Sequence, residues 1–236
     1  VVQKGNSNDG QSKQTGGDDN SFNGTQIGNK NTFYAEQTGS DNNGVIGQKG
    51  NKNDALLVQT GSNNYADAVQ QGDENHYDIN QNGNHNIVAG YEGPGQIGNK
   101  NGADIIQVGD YLHVNGVQRG NKNYVDAYQS GNHNTFHYEQ VGDKNAASIA
   151  QKGSNISLTV LQEGTELSVN TYQEGTNLTG NIKQRGAHNE VTAANQVGSD
   201  NQFYIEQNDA NNTASLNQSG QGNNINLFQD GAGLSA

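Results

Sequence analysis

Gln26-Ile27-Gly28-Asn29-Lys30-Asn31-Thr32-Phe33-Tyr34-Ala35-Glu36-Gln37 reads as one turn followed by one strand. From Asn31 onward the side chains alternate: Asn31, Phe33, Ala35 and Gln37 share one face, and Thr32, Tyr34 and Glu36 share the other, as a period of two along a strand requires. Gly28 sits at a fixed place between Gln and Asn, where the chain must reverse. A residue without Cβ reaches φ > 0 there at no steric cost.

The unit recurs through the whole chain. With Gln as position 1, units begin at Gln3, Gln14, Gln26 and on to Gln229: 21 in all, with 17 of the 20 intervals eleven residues long. Gly holds position 3 in every unit except one, where Asp209 stands. Asn usually holds position 6, and the same inward sequence of Asn, apolar, apolar, Gln returns in Asn123-Tyr-Val125-Asp-Ala127-Tyr-Gln129 and Asn145-Ala-Ala147-Ser-Ile149-Ala-Gln151. Self-similarity at a fixed short period marks a solenoid, and the period-two strands make it all-β.

Inward amides must be hydrogen-bonded, and an amide carries both donors and acceptors. Stacking like on like at about 4.8 Å lets each bond its neighbours above and below. Parallel, in-register stacking is therefore expected. The residues assigned to ladder and turn are Gln26, Gly28, Asn31, Gln37, Gly39, Asn42, Gln48, Gly50, Asn53, Gln59, Gly61 and Asn64. Further along they are Gln118, Gly120, Asn123, Gln129, Gly131, Asn134, Gln140, Gly142, Asn145, Gln218, Gly220 and Asn223.

Position 5 tells alternate units apart. Lys30, Lys52, Lys100, Lys122 and Lys144 all fall in odd-numbered units and none in even ones. One coil is thus two units, strand-turn-strand-turn over 22 residues, in about ten coils. Two thin sheets are expected to bury Phe33, Leu57, Ile79, Ile105, Ile149, Leu158, Ile205 and Leu216 between them. Three irregularities break the count: an extra residue in 16–20, another at Ala194-Asn195, and four in 86–95, which read as an enlarged turn. Position 6 becomes aliphatic at Leu112, Ile156, Leu167 and Leu178. No linker or composition break divides 1–236, so a single solenoid domain is expected.

Composition narrows the function classes. Only 29% of residues are hydrophobic and the net charge is −12, which without positional order would argue for disorder. The acidic balance argues against nucleic-acid binding, and no apolar run approaches the roughly 20 residues that span a bilayer. Cys, Met and Trp are absent. The opening Val1-Val2-Gln3 fits a processed secreted protein as well as a trimmed one. No catalytic group, metal site or cofactor is expected: Asp54, Asp67, Asp78, Asp104 and Asp126 are spread among outward residues such as His137, Ser148 and Asn170. The histidines lie scattered in turns (His85, His133, His188) or on outward faces (His76, His113, His137).

The pattern Gln-x-Gly-x-x-Asn-x-Ala-x-apolar-x-Gln, as in Gln59-Thr-Gly61-Ser-Asn-Asn64-Tyr-Ala66-Asp-Ala68-Val-Gln70, resembles the curlin repeat of bacterial curli. That resemblance implies a secreted functional amyloid subunit, exported through an outer-membrane channel with accessory chaperones, met by a nucleator subunit and polymerised at the cell surface into biofilm matrix. Asn heads both strands of a coil, where the enterobacterial major subunit puts Ser in one, so the chain is similar to a longer homologue. The intact pattern from Asn223 to Gly231 resembles the major subunit rather than the nucleator. Gln3, Gly5 and Asn8 at one end and Gln229 and Gly231 at the other lack a capping helix, proline or charge cluster, and are the expected polymerisation ends. A monomeric surface adhesin on the same solenoid is the alternative reading.

Overall fold

The computed structural model describes residues 1–90 and 95–236. Twenty-two strands alternate between two sheets: odd layers build a sheet of twelve strands and even layers one of ten, and no helix is present among the described residues. Within each sheet the strands are parallel and in register. Thr32–Ser40 lies on Asp54–Ser62 with Gln37 on Gln59 and Gly39 on Gly61; Ser21–Asn29 lies on Asn43–Asn51 with Gln26 on Gln48 and Gly28 on Gly50. This is a β-solenoid whose coil is 22 residues.

The inward side chains of both sheets meet in one thin apolar layer. Phe33, Leu57, Ile79, Ile105, Ile149, Leu158, Ile205 and Leu216 are all buried in it. Bordering it at the strand ends are the Gln and Asn columns, also buried over most of the length. The core is therefore apolar in the middle and amide at both rims, because each strand carries two apolar inward residues between one Asn and one Gln. Leu112, Ile156, Leu167 and Leu178 are fully buried in the Asn column.

Three features differ from the reading of the sequence. The extra residues of 86–95 interrupt a strand rather than enlarge a turn: Ile87–Gly90 and Gln96–Ile97 both pair with Tyr65–Gln71 on one side and His113–Arg119 on the other. They are two parts of one layer, and residues 91–94 of that expected turn lie outside the described residues. The second single-residue insertion is placed before Ala194, not at Ala194-Asn195. Val169 pairs with Val191 and Thr171 with Ala194, so the bulge falls at Thr192-Ala193 and the strand regains register at once. A bulge absorbs one residue without moving the inward set to the other face.

The third difference lies in the turn. Positive φ is expected at the Gly, and the structure adds a second such residue in each turn. Gly28 has φ 121° and Lys30 has φ 59°; Gly39 has 110° and Asp41 has 56°. The second site is left-handed helical for Lys, Glu, His and Tyr as well as for Asn and Asp, which costs about 1 kcal/mol or more at each residue that is not Gly, Asn or Asp.

Candidate functional site

Position 1 of each unit forms an unbroken hydrogen-bonded column. In the twelve-stranded sheet the Nε2 of Gln3 donates to Oε1 of Gln26 (2.7 Å), Gln26 to Gln48 (2.9 Å) and Gln48 to Gln70 (3.0 Å). The column continues through Gln118 to Gln140 (2.9 Å) and ends with Gln207 to Gln229 (2.8 Å). The other sheet does the same from Gln14 to Gln37 (2.7 Å), Gln37 to Gln59 (2.8 Å) and Gln129 to Gln151 (2.8 Å), up to Gln196 to Gln218 (2.8 Å). The second Nε2 proton crosses between sheets, as from Gln48 to the Thr32 carbonyl (2.8 Å). One side chain thereby ties each coil to the next and one sheet to its partner.

The Asn column works with the Gly column. The Asn53 backbone N–H and Nδ2 both donate to Oδ1 of Asn31 (3.0 and 3.1 Å), and Nδ2 of Asn53 also donates to the Gly72 carbonyl (2.7 Å). Asn42 and Asn64 repeat this on the opposite edge (3.1 and 3.0 Å). Asn123, Asn134 and Asn145 donate to the carbonyls of Gly142, Gly153 and Gly164 (2.7, 3.1 and 3.1 Å). Gly is required because the turns stack backbone on backbone: a Cβ on Gly50 would lie 1.9 Å from the Gly72 carbonyl oxygen. Gly61, Gly120, Gly131 and Gly142 stand in the same relation to the next turn. Asp209, the one replacement, takes φ 66° instead of the values above 100° of the stacked glycines.

At the outermost layers the columns stop. Oε1 of Gln3 and of Gln14 accept no hydrogen bond among the described residues, while Gln218 and Gln229 donate only to the carbonyls of Gln202 and Thr213 (2.8 and 3.0 Å). Gly5 sits under Gly28, and Nδ2 of Asn8 reaches the Gly28 carbonyl (2.8 Å). The strand Asn224–Asp230 is uncovered, with Phe228 65% exposed, and Gly220, Asn223 and Gly231 lie in the last two turns. Residues 234–236 begin a further layer over Thr213–Gln221: the Thr213 N–H donates to the Leu234 carbonyl (2.8 Å), and the Leu234 N–H to Asn212 Oδ1 (2.9 Å).

The outer surface holds two clusters that alternation alone does not reveal. Asp78, Asp104 and Asp126 occupy successive layers of one column, and are not spread as the sequence suggests. His76 lies between Asp54 (3.3 Å) and Asp104 (3.5 Å), and the Tyr124 hydroxyl donates to Asp104 (2.5 Å). The bond to Asp54 holds the His76 imidazole above its ordinary value and the Asp54 carboxyl below its own. Burial, and then the Asp104 charge, push Asp78 and Asp126 up. On one turn edge the rings of His85, Tyr111 and His133 stack at 4.7 and 4.8 Å. The signal for both clusters was the 22-residue register, which aligns residues that look dispersed along the chain.

No curated protein matches the chain. A family model described as the curlin-associated repeat matches residues 28–61 and again 50–83. The two matched windows are offset by one 22-residue coil, and the Gln column and strand register that they span continue from the first layer to the last. Residues 28–83 are thus similar to the curlin repeat, and the coils before and after them keep the same column and register.

Proposed function

We propose that this chain is the structural subunit of a curli-like amyloid fibre that grows by stacking copies end on end. The observation that carries the reading is the direction of the Gln columns: below the last layer of each sheet, every Nε2 donates to the Gln of the later coil. The Asn column runs the other way, each later Asn donating to the earlier Oδ1. An interface between two copies therefore continues both columns only when the later face of one, with free Gln Nε2 protons and free Asn Oδ1, meets the earlier face of another, with free Gln Oε1. Such a head-to-tail contact does not close and yields a filament. The unpaired strand edges add the backbone part of the same contact. The likeness of residues 28–83 to the curlin repeat supports a secreted, cell-surface location and a role as scaffold rather than enzyme. It also supports a nucleator subunit, an outer-membrane channel and accessory chaperones as partners.

Purified chain is expected to form filaments on standing, with a meridional diffraction spacing near about 4.7 Å and an elongation rate that rises on seeding. Particles that remain single solenoids of about ten layers after prolonged incubation at high concentration would overturn the proposal in favour of a monomeric adhesin.

A further inference from the structure

The two turn edges of the solenoid differ in charge. At the two turn positions after the Gly, one edge carries Lys30, Lys52, Lys100, Lys122 and Lys144, and also Asp73, Glu74, Asp143 and Glu166. The other carries Asp18, Asp19, Asp41, Asp110 and Asp200 around its own turns, with Lys152, before the Gly of one turn, as its lysine. Along the first edge the charges are arranged in order. Glu74 bridges Lys52 (3.1 Å) and Lys100 (3.4 Å), and Glu166 bridges Lys144 (2.5 Å) and His188 (2.9 Å). Lys30 and Lys122 have no ion pair among the described residues. All five lysines occupy the left-handed site of the turn, where Asn, Asp or Gly would cost less. The opposite edge mostly places Asn, Asp or Gly in that site, as at Asp19, Asp41, Asn63 and Asn155. The lysine edge therefore accepts backbone strain to present charge.

We infer that the lysine edge of one subunit docks laterally on the acidic edge of a second copy of the same chain, related by sideways translation within the fibre. The edges lie on opposite sides of the flat two-sheet coil, about 25 Å apart for a strand of seven to nine residues, so translation brings unlike edges together. A turn on one edge is half a coil along the chain from the turn on the other, so residues of facing edges interleave. Asp41 then falls between Lys30 and Lys52, and Asp110 between Lys100 and Lys122. Glu74 faces Asn63 and His85, and Glu166 faces Asn155 and Asn177. At the two turn positions after the Gly, no lysine meets a lysine and no acid meets an acid. A polyanion fits the lysine edge less well, because Asp73, Glu74, Asp143 and Glu166 interrupt it. Each exposed pair is weak and salt-screened, but repetition in every stacked subunit sums them along the filament. The contact does not close on itself, so filaments associate into ribbons of one polarity.

This inference rests on the fibre reading, and the experiment separates the two. Elongation, followed by dye fluorescence and filament length, reports stacking; filament width in electron micrographs reports edge pairing. Wild-type ribbons are expected to narrow by about two-fold or more between about 0.1 M and 1 M salt, as screening shortens from about 10 to 3 Å. Lys30→Glu/Lys100→Glu and Asp41→Lys/Asp110→Lys are each expected to elongate normally into narrow filaments, and an equimolar mixture to regain ribbon width. Widths indifferent to salt and to charge reversal, or a mixture as narrow as its parts, overturn the lateral contact and leave stacking intact. Loss of polyphosphate binding on Lys30→Glu/Lys100→Glu with unchanged width assigns the edge to a polyanion instead and also overturns it. Should no filament form, sedimentation at low salt decides. A heavier species in the mixture and wild type alone supports the edge contact, and identical sedimentation of all samples overturns it.

Discussion

A methyl group at Gly50 would lie 1.9 Å from the Gly72 carbonyl oxygen, on a backbone at φ 131°. Nothing flexible separates the two, so Gly50→Ala must part adjacent turns or change their conformation. Its expected cost is about 3 kcal/mol or more, read as a fall in the urea midpoint of soluble chain. Gly16 is the control: it has φ 68° and open space around it, and Gly16→Ala is expected to cost about 1 kcal/mol. Equal effects at the two sites would show that stacking is not what requires glycine. Asn53 acts differently, through bonds rather than room. Asn53→Ala leaves the Gly72 carbonyl and the Asn75 N–H without the partners they have at 2.7 and 3.0 Å, a loss of about 2–5 kcal/mol for two buried groups. Asn53→Leu is expected to lose roughly half as much, because the side chain fills the corner as Leu167 does above Asn145, where its N–H still reaches Oδ1 (3.1 Å). If Leu proves as damaging as Ala, the aliphatic places in the column are not tolerated substitutes.

Among the elements, the strands Asp54–Ser62, His76–Asn82, Gly102–Asp110 and Tyr124–Asn132 bring a cluster of titrating groups together. Asp78, Asp104 and Asp126 stack as like charges, and His76 sits against Asp54 and Asp104. The His76 value is raised above 6.5, so its contribution is fully present below that pH and is lost as pH rises through the folded value. Asp78 and Asp126 are raised above 3.8, so they too add stability as pH falls and cost it when ionised. Asp54 is lowered and opposes this only once pH falls below the ordinary carboxylate range. Acidification from above neutrality to about pH 6 is therefore expected to raise the urea midpoint, since the raised His76 imidazole gains its proton on the way to its ordinary value. Asp78 and Asp126 add to this as pH falls further toward the ordinary carboxylate range. Asp78→Asn/Asp126→Asn is expected to raise the neutral midpoint and flatten its pH dependence. A midpoint that falls on mild acidification in the wild type would contradict this account of the column.

For the whole molecule, polarity is the property that stacking adds. Each coil donates its Gln amides in one direction, so a fibre built by continuing the columns has two chemically different ends. Two-colour seeding is expected to show one end growing faster than the other. Equal growth at both ends together with head-to-head junctions would contradict it, since such a junction sets donor against donor.

Much of the architecture was legible without coordinates. Strict alternation after each Asn dictates a strand with one buried face, and Gln-x-Gly-x-x-Asn dictates a turn that must match its neighbours; together they demand a parallel solenoid with a 22-residue coil. The strand and turn rules are local, and one unit such as 26–37 states them in full; the 22-residue coil needed the one-sided lysines of position 5 across many units. What remained hidden depends on distance in space rather than along the chain. The second left-handed site at Lys30 and its equivalents follows from how successive turns stack, since Lys itself disfavours that conformation. The strand interruption before Gln96 and the bulge at Thr192-Ala193 were decided by register with neighbouring layers, which tolerates extra residues only where the inward face stays aligned. The column of Asp78, Asp104 and Asp126 and the unlike edges likewise exist only once the coil brings residues 22 or 26 apart within one strand spacing, because charge acts through space and not through sequence.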